Sequence, residues 1–367
     1  MSLLLFNTTC VTSPPKDTGT FLRMDRRAKH KAHGRRRVCG RGIEVPVGIP
    51  NGCLMLAFLF STLVLAITLD DVRTPALLCY RSTLEANAAR MRVRAEELGC
   101  ALRPHMKTCK TVEAGVIATG GTRRRVTVST IAEARFFADA GFDDILYAVP
   151  LTADKVADVE KLHAGLAQFH VMIDHAEQAA ALIARLSRPE VREQMLARPL
   201  SVFVGVDCGY HRDGCDPNDP SSVTLVRMLA ESGVTMLAGI YTHGGHSYDA
   251  ANAAEIVRIA EQERDVTAGF RAKLRSIGLN VPVAGVGSTP TCSLPPAQLD
   301  GIDEMHPGNF LYYDMTQVAL GTCAVRDVAV RVLTRVVGHY PSSNTLLIDC
   351  GWAGCSAQVR IASDCPE

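Results

Sequence analysis

From Thr74 onward the chain alternates short apolar runs with longer stretches whose apolar positions recur at helical spacing. Ala76–Tyr80 reads as a strand. Ser82–Leu98 reads as a helix, with Ser82 or Thr83 as N-cap and Gly99 as its stop. Further strands are expected at Val126–Ser129, Ile145–Val149, Gln168–Ile173, Ser201–Asp207, Val234–Tyr241 and Val281–Val286. Helices are expected between them, among them Ile131–Ala140, Ala153–Ala164, His175–Leu186 and Ala250–Ile277. This alternation is the pattern of βα units. Seven or eight units over about 240 residues point to a closed (β/α)8 barrel of the TIM type, spanning 74–322. An open doubly wound sheet is the rival, but no Gly-x-Gly-x-x-Gly turn opens a first helix.

After about Cys323 the pattern changes to β-branched alternation, over Val325–Val337 and then Thr345–Asp349. Residues 323–367 therefore read as the start of a β domain that the chain is too short to complete. The first 73 residues also differ from the barrel. A basic stretch and a Gly/Pro-containing spacer lead into an uncharged run, Cys53 to Leu69, at the lower edge of the length that spans a bilayer. A membrane anchor at 53–69, a targeting segment and sequence foreign to the mature protein are three readings of it.

Composition narrows the class. The chain has 367 residues, 47% hydrophobic and 5% aromatic, as suits an aliphatic barrel core. Its net charge of +1 conceals an asymmetry, since residues 1–52 carry +7 and the remainder −6. A mildly acidic body argues against nucleic acid as a partner. Thirteen cysteines fall without a Cys-x-x-Cys pair or a zinc-ribbon spacing, which reads as reduced thiols in a cytoplasmic protein.

The sharpest local feature is Arg103-Pro-His105-Met-Lys107-Thr-Cys109-Lys110, after a short strand. A lysine at the C-terminal mouth of a barrel strand is held by the scaffold and faces the cavity. With its pKa lowered it can form an imine with an aldehyde cofactor, and Arg103, His105 or Lys110 is the neighbouring cation expected to lower it. Gly287-Ser288-Thr289 is a second candidate, a turn offering amides and two hydroxyls to an anion.

Five ordered blocks carry a resemblance. They are Thr74-Pro-Ala-Leu-Leu through Lys107, Val206–Gly214, Gly239–Tyr248, Gly287–Thr291 and Glu304–Asp314, and Leu347–Trp352 follows. Together they resemble the D-threonine aldolase and D-serine dehydratase family, which is alanine-racemase-like in its barrel and uses pyridoxal 5'-phosphate. The resemblance implies that Lys107 carries the cofactor as an imine and later moves the substrate's Cα proton. It implies that His243 lies against the cofactor ring and Arg212 near its phenolic oxygen. Gly287, Ser288, Thr289, Gly308 and Asn309 would take the phosphate, and Tyr241 and Tyr312 would supply pocket hydroxyls. The implied activity is a lyase acting on D-amino acids with a β-hydroxyl, as D-serine dehydration or D-threonine aldol cleavage. A small-molecule substrate and a homodimer are implied with it.

Three departures stand out. Cys109 replaces a histidine common in relatives, and His306 stands where racemase relatives have an arginine, which favours a lyase. Lyases of the family hold zinc or manganese with a His and a Cys or Asp of the second domain. After Trp352 this chain offers only Cys355, Asp364 and Cys365, so no metal ligands are assigned. A truncated chain that binds pyridoxal phosphate without lyase activity, as a racemase-like or cofactor-carrying protein, is therefore the alternative.

Overall fold

The computed structural model describes residues 68–351; the basic segment, most of the apolar run 53–69, and Cys355, Asp364 and Cys365 lie outside the described residues. Twelve strands and ten α-helices follow in chain order: β1 (Ala76–Cys79), α1 (Arg81–Glu97), β2 (Ala101–Leu102), α2 (Val112–Ala118), β3 (Val126–Val128), α3 (Ile131–Asp139), β4 (Asp144–Pro150) and α4 (Val156–Gly165). Next come β5 (Gln168–Ile173), α5 (Ala176–Leu186), α6 (Pro189–Ala197), β6 (Leu200–Gly205), α7 (Pro220–Glu231), β7 (Thr235–Tyr241) and α8 (Ala253–Ser276). The chain continues through β8 (Val283–Val286), α9 (Thr289–Ser293), β9 (Glu304–Met305), α10 (Met315–Ala319), β10 (Val330–Leu333), β11 (Val336–Tyr340) and β12 (Thr345–Ile348).

Eight of these strands form one parallel sheet in the order β2-β9-β8-β7-β6-β5-β4-β3. A parallel bridge between His105 and Thr127 joins its two ends and closes the ring. The expected barrel architecture is observed, but β1, read from the sequence as a strand of its first unit, lies outside this sheet, and β9, for which no strand was expected, takes a place in it. Alternate residues along a strand face one side, so Leu146, Met172, Phe203 and Tyr241 from β4 to β7 form a separate apolar cluster inside it. Below that layer sit Asp144, His170, Ser201 and Glu304, at the amino-terminal ends of their strands, together with Arg103. The larger apolar cluster packs the outer faces of the strands against the helices.

Local chemistry explains most helix starts. Thr111, Thr130, Asn252 and Asp314 each accept an amide from the first turn of the helix they precede. The first helix is an exception to expectation. It begins at Arg81 with Tyr80 as N-cap and no side-chain cap, so neither Ser82 nor Thr83 caps it. The chain enters helix directly from β1, and the Arg81–Glu85 pair at 2.8 Å occupies the first turn instead. Gly99, at φ +68°, ends it as expected.

Among the described residues, a second compact unit contains 333–351. Within it β11 and β12 pair antiparallel around Asn344, at φ +49° in the left-handed region that asparagine tolerates. The expected strand from Val325 begins later. Val325–Asp327 is a single 3-10 turn, because the Asp327 carboxylate accepts the Ala324 amide at 2.8 Å and holds the backbone in a turn.

Candidate active site

The matched sequence blocks converge because each follows the carboxyl end of a barrel strand. Lys107 comes after β2, Arg212 after β6, His243 after β7, the Gly287–Thr289 turn after β8, and Gly308 and Asn309 after β9. In a parallel barrel those ends share one mouth.

Lys107 is exposed at this mouth, yet enough protein surrounds its amine that desolvation, followed by the Arg212 guanidinium, lowers its pKa. The cations expected to do this do not. Arg103 turns down into the barrel, with Nε 2.8 Å from Glu304 and a terminal nitrogen 2.7 Å from Asp144. Burial opposes its charge, but Glu304 and Asp144 outweigh that and keep it ionised. Burial holds His105 neutral, and Lys110 pairs with Glu133 at 2.9 Å. Arg212 lies over the Tyr210 ring and bonds Asp213 at 2.9 Å.

His243 donates through Nδ1 to the Gly287 carbonyl oxygen at 2.8 Å. Burial, with Lys107 and Arg212 as neighbouring cations, pushes its pKa down to about 3. It is therefore a neutral imidazole with its proton on Nδ1 and a lone pair on Nε2. Tyr241 is stacked on His306, with ring centroids 3.7 Å apart. His306 donates from Nε2 to the Thr242 carbonyl at 2.6 Å, and its buried Nδ1 has no hydrogen-bond partner.

The turn expected to bind an anion is already internally bonded. The Gly287 amide donates to Glu263 at 2.9 Å, the Ser288 amide to Thr291 Oγ1 at 3.0 Å, and the Asn309 amide to Thr289 Oγ1 at 2.8 Å. Tyr248, its phenol pushed up to about 12 by burial, bonds the Thr289 amide and side chain. Four of the expected amide donors, those of Gly287, Ser288, Thr289 and Asn309, are thus engaged within the protein. What the turn presents is a cluster of hydroxyls, Ser247, Ser288, Thr289 and Thr291, with Ser247 and Ser288 2.7 Å apart. Hydroxyls rotate to new acceptors without moving the backbone. Glu263, which organises this turn, was missed by sequence reading. An isolated Glu inside a long amphipathic helix carries no signal of its own.

Tyr312 donates to the Cys109 carbonyl at 3.2 Å, and burial pushes the Cys109 thiol up to about 12, leaving it uncharged. A cavity of about 810 Å³ lined by Arg103, Asp144, His170 and Glu304 opens at the amino-terminal end of the strands. Its inner charges pair with one another, so the reactive groups lie at the other mouth. Among the described residues no group of three or more His, Cys, Asp or Glu is placed to hold a metal. No disulfide joins the described cysteines.

A parallel barrel with a lysine of lowered pKa at its carboxyl mouth, beside a neutral histidine and an arginine, is the scaffold of a barrel-type pyridoxal-phosphate enzyme. The chain belongs to the family of the alanine racemase N-terminal domain, whose model matches residues 80–316. It is similar to a D-serine dehydratase of Dictyostelium discoideum, 37% identical over 294 residues that cover 77% of this chain and 73% of the other. The solved D-threo-3-hydroxyaspartate dehydratase of Delftia sp. HT23 superposes with a TM-score of 0.70 at 32% identity, covering 77% of this chain and 72% of that one. A D-threonine aldolase from Filomicrobium marinum gives a TM-score of 0.68 at 26% identity, covering 77% and 75%.

Proposed function

We propose that this protein is a pyridoxal-phosphate-dependent lyase for D-amino acids bearing a β-hydroxyl, with dehydration of D-serine or a close analogue as its reaction. The observation that carries this reading is the Lys107 amine, desolvated and flanked by Arg212, at the mouth it shares with His243. The dehydratases named above, 37% and 32% identical, favour dehydration over the aldol cleavage named for the 26% identical aldolase.

The residues fit the cofactor. A Cβ at Gly308 would come 3.3 Å from the His105 carbonyl oxygen and 3.9 Å from Lys107 Cε, so glycine keeps the space beside the amine open. When bound, pyridoxal phosphate supplies an aldehyde that captures amines and a ring that accepts the electrons of a carbanion. Lys107 would hold it and, once displaced by the substrate amine, take the proton from Cα. The lowered pKa serves both tasks, since each needs the neutral amine. His243, neutral and fixed by Gly287, would cover the ring face without adding charge. Arg212 would supply the positive charge near the phenolic oxygen. Ser288 and Thr289 hydroxyls, with the Gly308 amide, would take the phosphate, while Gly287 shapes the turn and Asn309, its amide on Thr289 Oγ1, would orient that hydroxyl rather than bind the anion itself. Tyr241 would floor the pocket through its stack on His306.

Zinc or manganese belongs to this reading as the group that would draw off the β-hydroxyl. Nothing among the described residues fits such an ion.

The test uses the full-length chain with pyridoxal phosphate, alone and with zinc or manganese. D-serine should yield pyruvate and ammonia, and borohydride reduction with peptide mapping should find the cofactor on Lys107. No turnover of D-serine, D-threonine or D-threo-3-hydroxyaspartate under any of these conditions rejects the lyase. Cofactor on Lys107 without turnover would favour the carrier.

A further inference from the structure

The carboxylate of Glu263, on α8, is 1% exposed and its partners are amides and hydroxyls. Its Oε1 accepts from the Gly244 amide at 2.7 Å, the Gly287 amide at 2.9 Å and the Thr242 hydroxyl at 3.2 Å. Its Oε2 accepts from the Thr291 hydroxyl at 3.1 Å. Three of the donors sit in the loops that follow β7 and β8, and Thr291 sits in α9, the short helix that follows β8. Gly244 is part of the fit, since a Cβ there would come 2.9 Å from Oε2.

Two of the donors, Gly287 and Thr291, lead on to groups of the candidate site. Gly287, held through its amide, accepts the His243 Nδ1 proton on its carbonyl oxygen. Thr291, held through its hydroxyl, accepts the Ser288 amide. One buried carboxylate therefore sets both the orientation of the histidine ring and the shape of the hydroxyl turn. Burying a carboxyl group is costly, and a core needing only volume would be served better by an apolar side chain.

We propose that Glu263 is a positioning residue for the cofactor, clamping the loops after β7 and β8 so that His243 and the Ser288–Thr291 turn are held ready for pyridoxal phosphate. The proposal rests on the functional reading above. It predicts that the acceptor geometry of residue 263, rather than its charge, governs cofactor affinity. In E263Q the amide oxygen still accepts from Gly244 and Gly287 while the amide nitrogen donates to Thr291. E263A removes the clamp, and E263D draws it back by one methylene.

The experiment titrates pyridoxal phosphate into cofactor-free full-length protein, read by the absorbance of the lysine-bound form, with borohydride mapping and a thermal melt of each variant. E263Q should bind within about threefold of wild type. E263A should bind at least about tenfold more weakly, the size of effect expected when a group loses its orienting partner. Label should still fall on Lys107. If E263A fails to fold, E263D makes the same test. A folded E263A or E263D that binds as tightly as wild type overturns the proposal alone, as does an E263Q that loses as much as they do. A wild type that takes up no pyridoxal phosphate overturns the functional reading and this proposal with it.

Discussion

The imidazole of His243 is tied through Nδ1–H to the carbonyl oxygen of Gly287, and this bond fixes which nitrogen carries the ring's proton. A carbonyl oxygen only accepts, so Nδ1 must donate and Nε2 keeps its lone pair. With a pKa of about 3, the ring stays neutral through the range in which enzymes of this kind are assayed. The pH–rate profile should therefore show no limb that disappears in a His243→Leu variant, although that variant should lose about 10²-fold or more in activity. An acid limb near pH 6.5 abolished by the substitution would refute the neutral ring.

Desolvation lowers the Lys107 pKa most, and the Arg212 guanidinium adds to it through its charge. Asp213 and Glu133 act the other way. In Arg212→Met the lowering charge goes and Asp213 remains, so the lysine pKa must rise. Capture of an aldehyde needs the free amine, so its midpoint should move to higher pH. Borohydride trapping of pyridoxal phosphate across a pH series measures it, and a midpoint that stays in place or moves down would rule Arg212 out.

Much of this was legible in the chain. Apolar runs placed six of the eight barrel strands, β3 to β8, to within a few residues, but the two-residue β9 is too short to show a period and Ala76–Cys79 is a strand outside the barrel. Ordered blocks such as Tyr241-Thr-His243-Gly-Gly marked loops that meet at the carboxyl mouth of the barrel. The partners of those loops were not legible. Arg103 and Lys107 are four residues apart, yet the short strand and its turn send one to the core and the other to the mouth. Glu263 meets Gly244 and Gly287 only because α8 packs beneath two loops distant in sequence. Both facts belong to tertiary packing, which no local pattern encodes.

Arg103 yields a stability prediction. Its guanidinium is 4% exposed and is shared by Asp144 and Glu304, at 6% and 9%. Burial works against the Asp144 carboxylate, yet His170 and Arg103 together hold its pKa well below the usual range. Arg103→Met would leave two buried carboxyl groups without their cation, and breaking such a cluster costs about 3–5 kcal/mol. Urea unfolding of the cofactor-free protein should show that loss. Replacing all three residues by apolar ones should restore most of it, because the desolvation cost leaves with the charges. A single variant within about 0.5 kcal/mol of wild type would mean that the cluster carries little weight.

His306 leads to the dependence of stability on acid. It is 2% exposed, stacked on Tyr241, and donates from Nε2 to Thr242 while Nδ1 has no hydrogen-bond partner. Burial, above all, keeps its pKa well below 6.5, and His105 is shifted the same way. As pH falls through 6.5 the unfolded chain takes up these protons and the folded chain does not. The unfolded state then binds more protons, so stability decreases with falling pH, by up to about 1.4 kcal/mol per pH unit for each such histidine. Asp144 extends the loss with the same sign once pH drops through the carboxylate range, because its folded pKa is the lower one. Melting of the cofactor-free protein should thus become steadily easier from pH 7 to pH 5. In a His306→Leu variant the slope over that interval should shrink by one histidine's share, even though the variant also loses the bond to Thr242 and starts less stable. Parallel curves for the two proteins would show that His306 takes its proton as readily folded as unfolded.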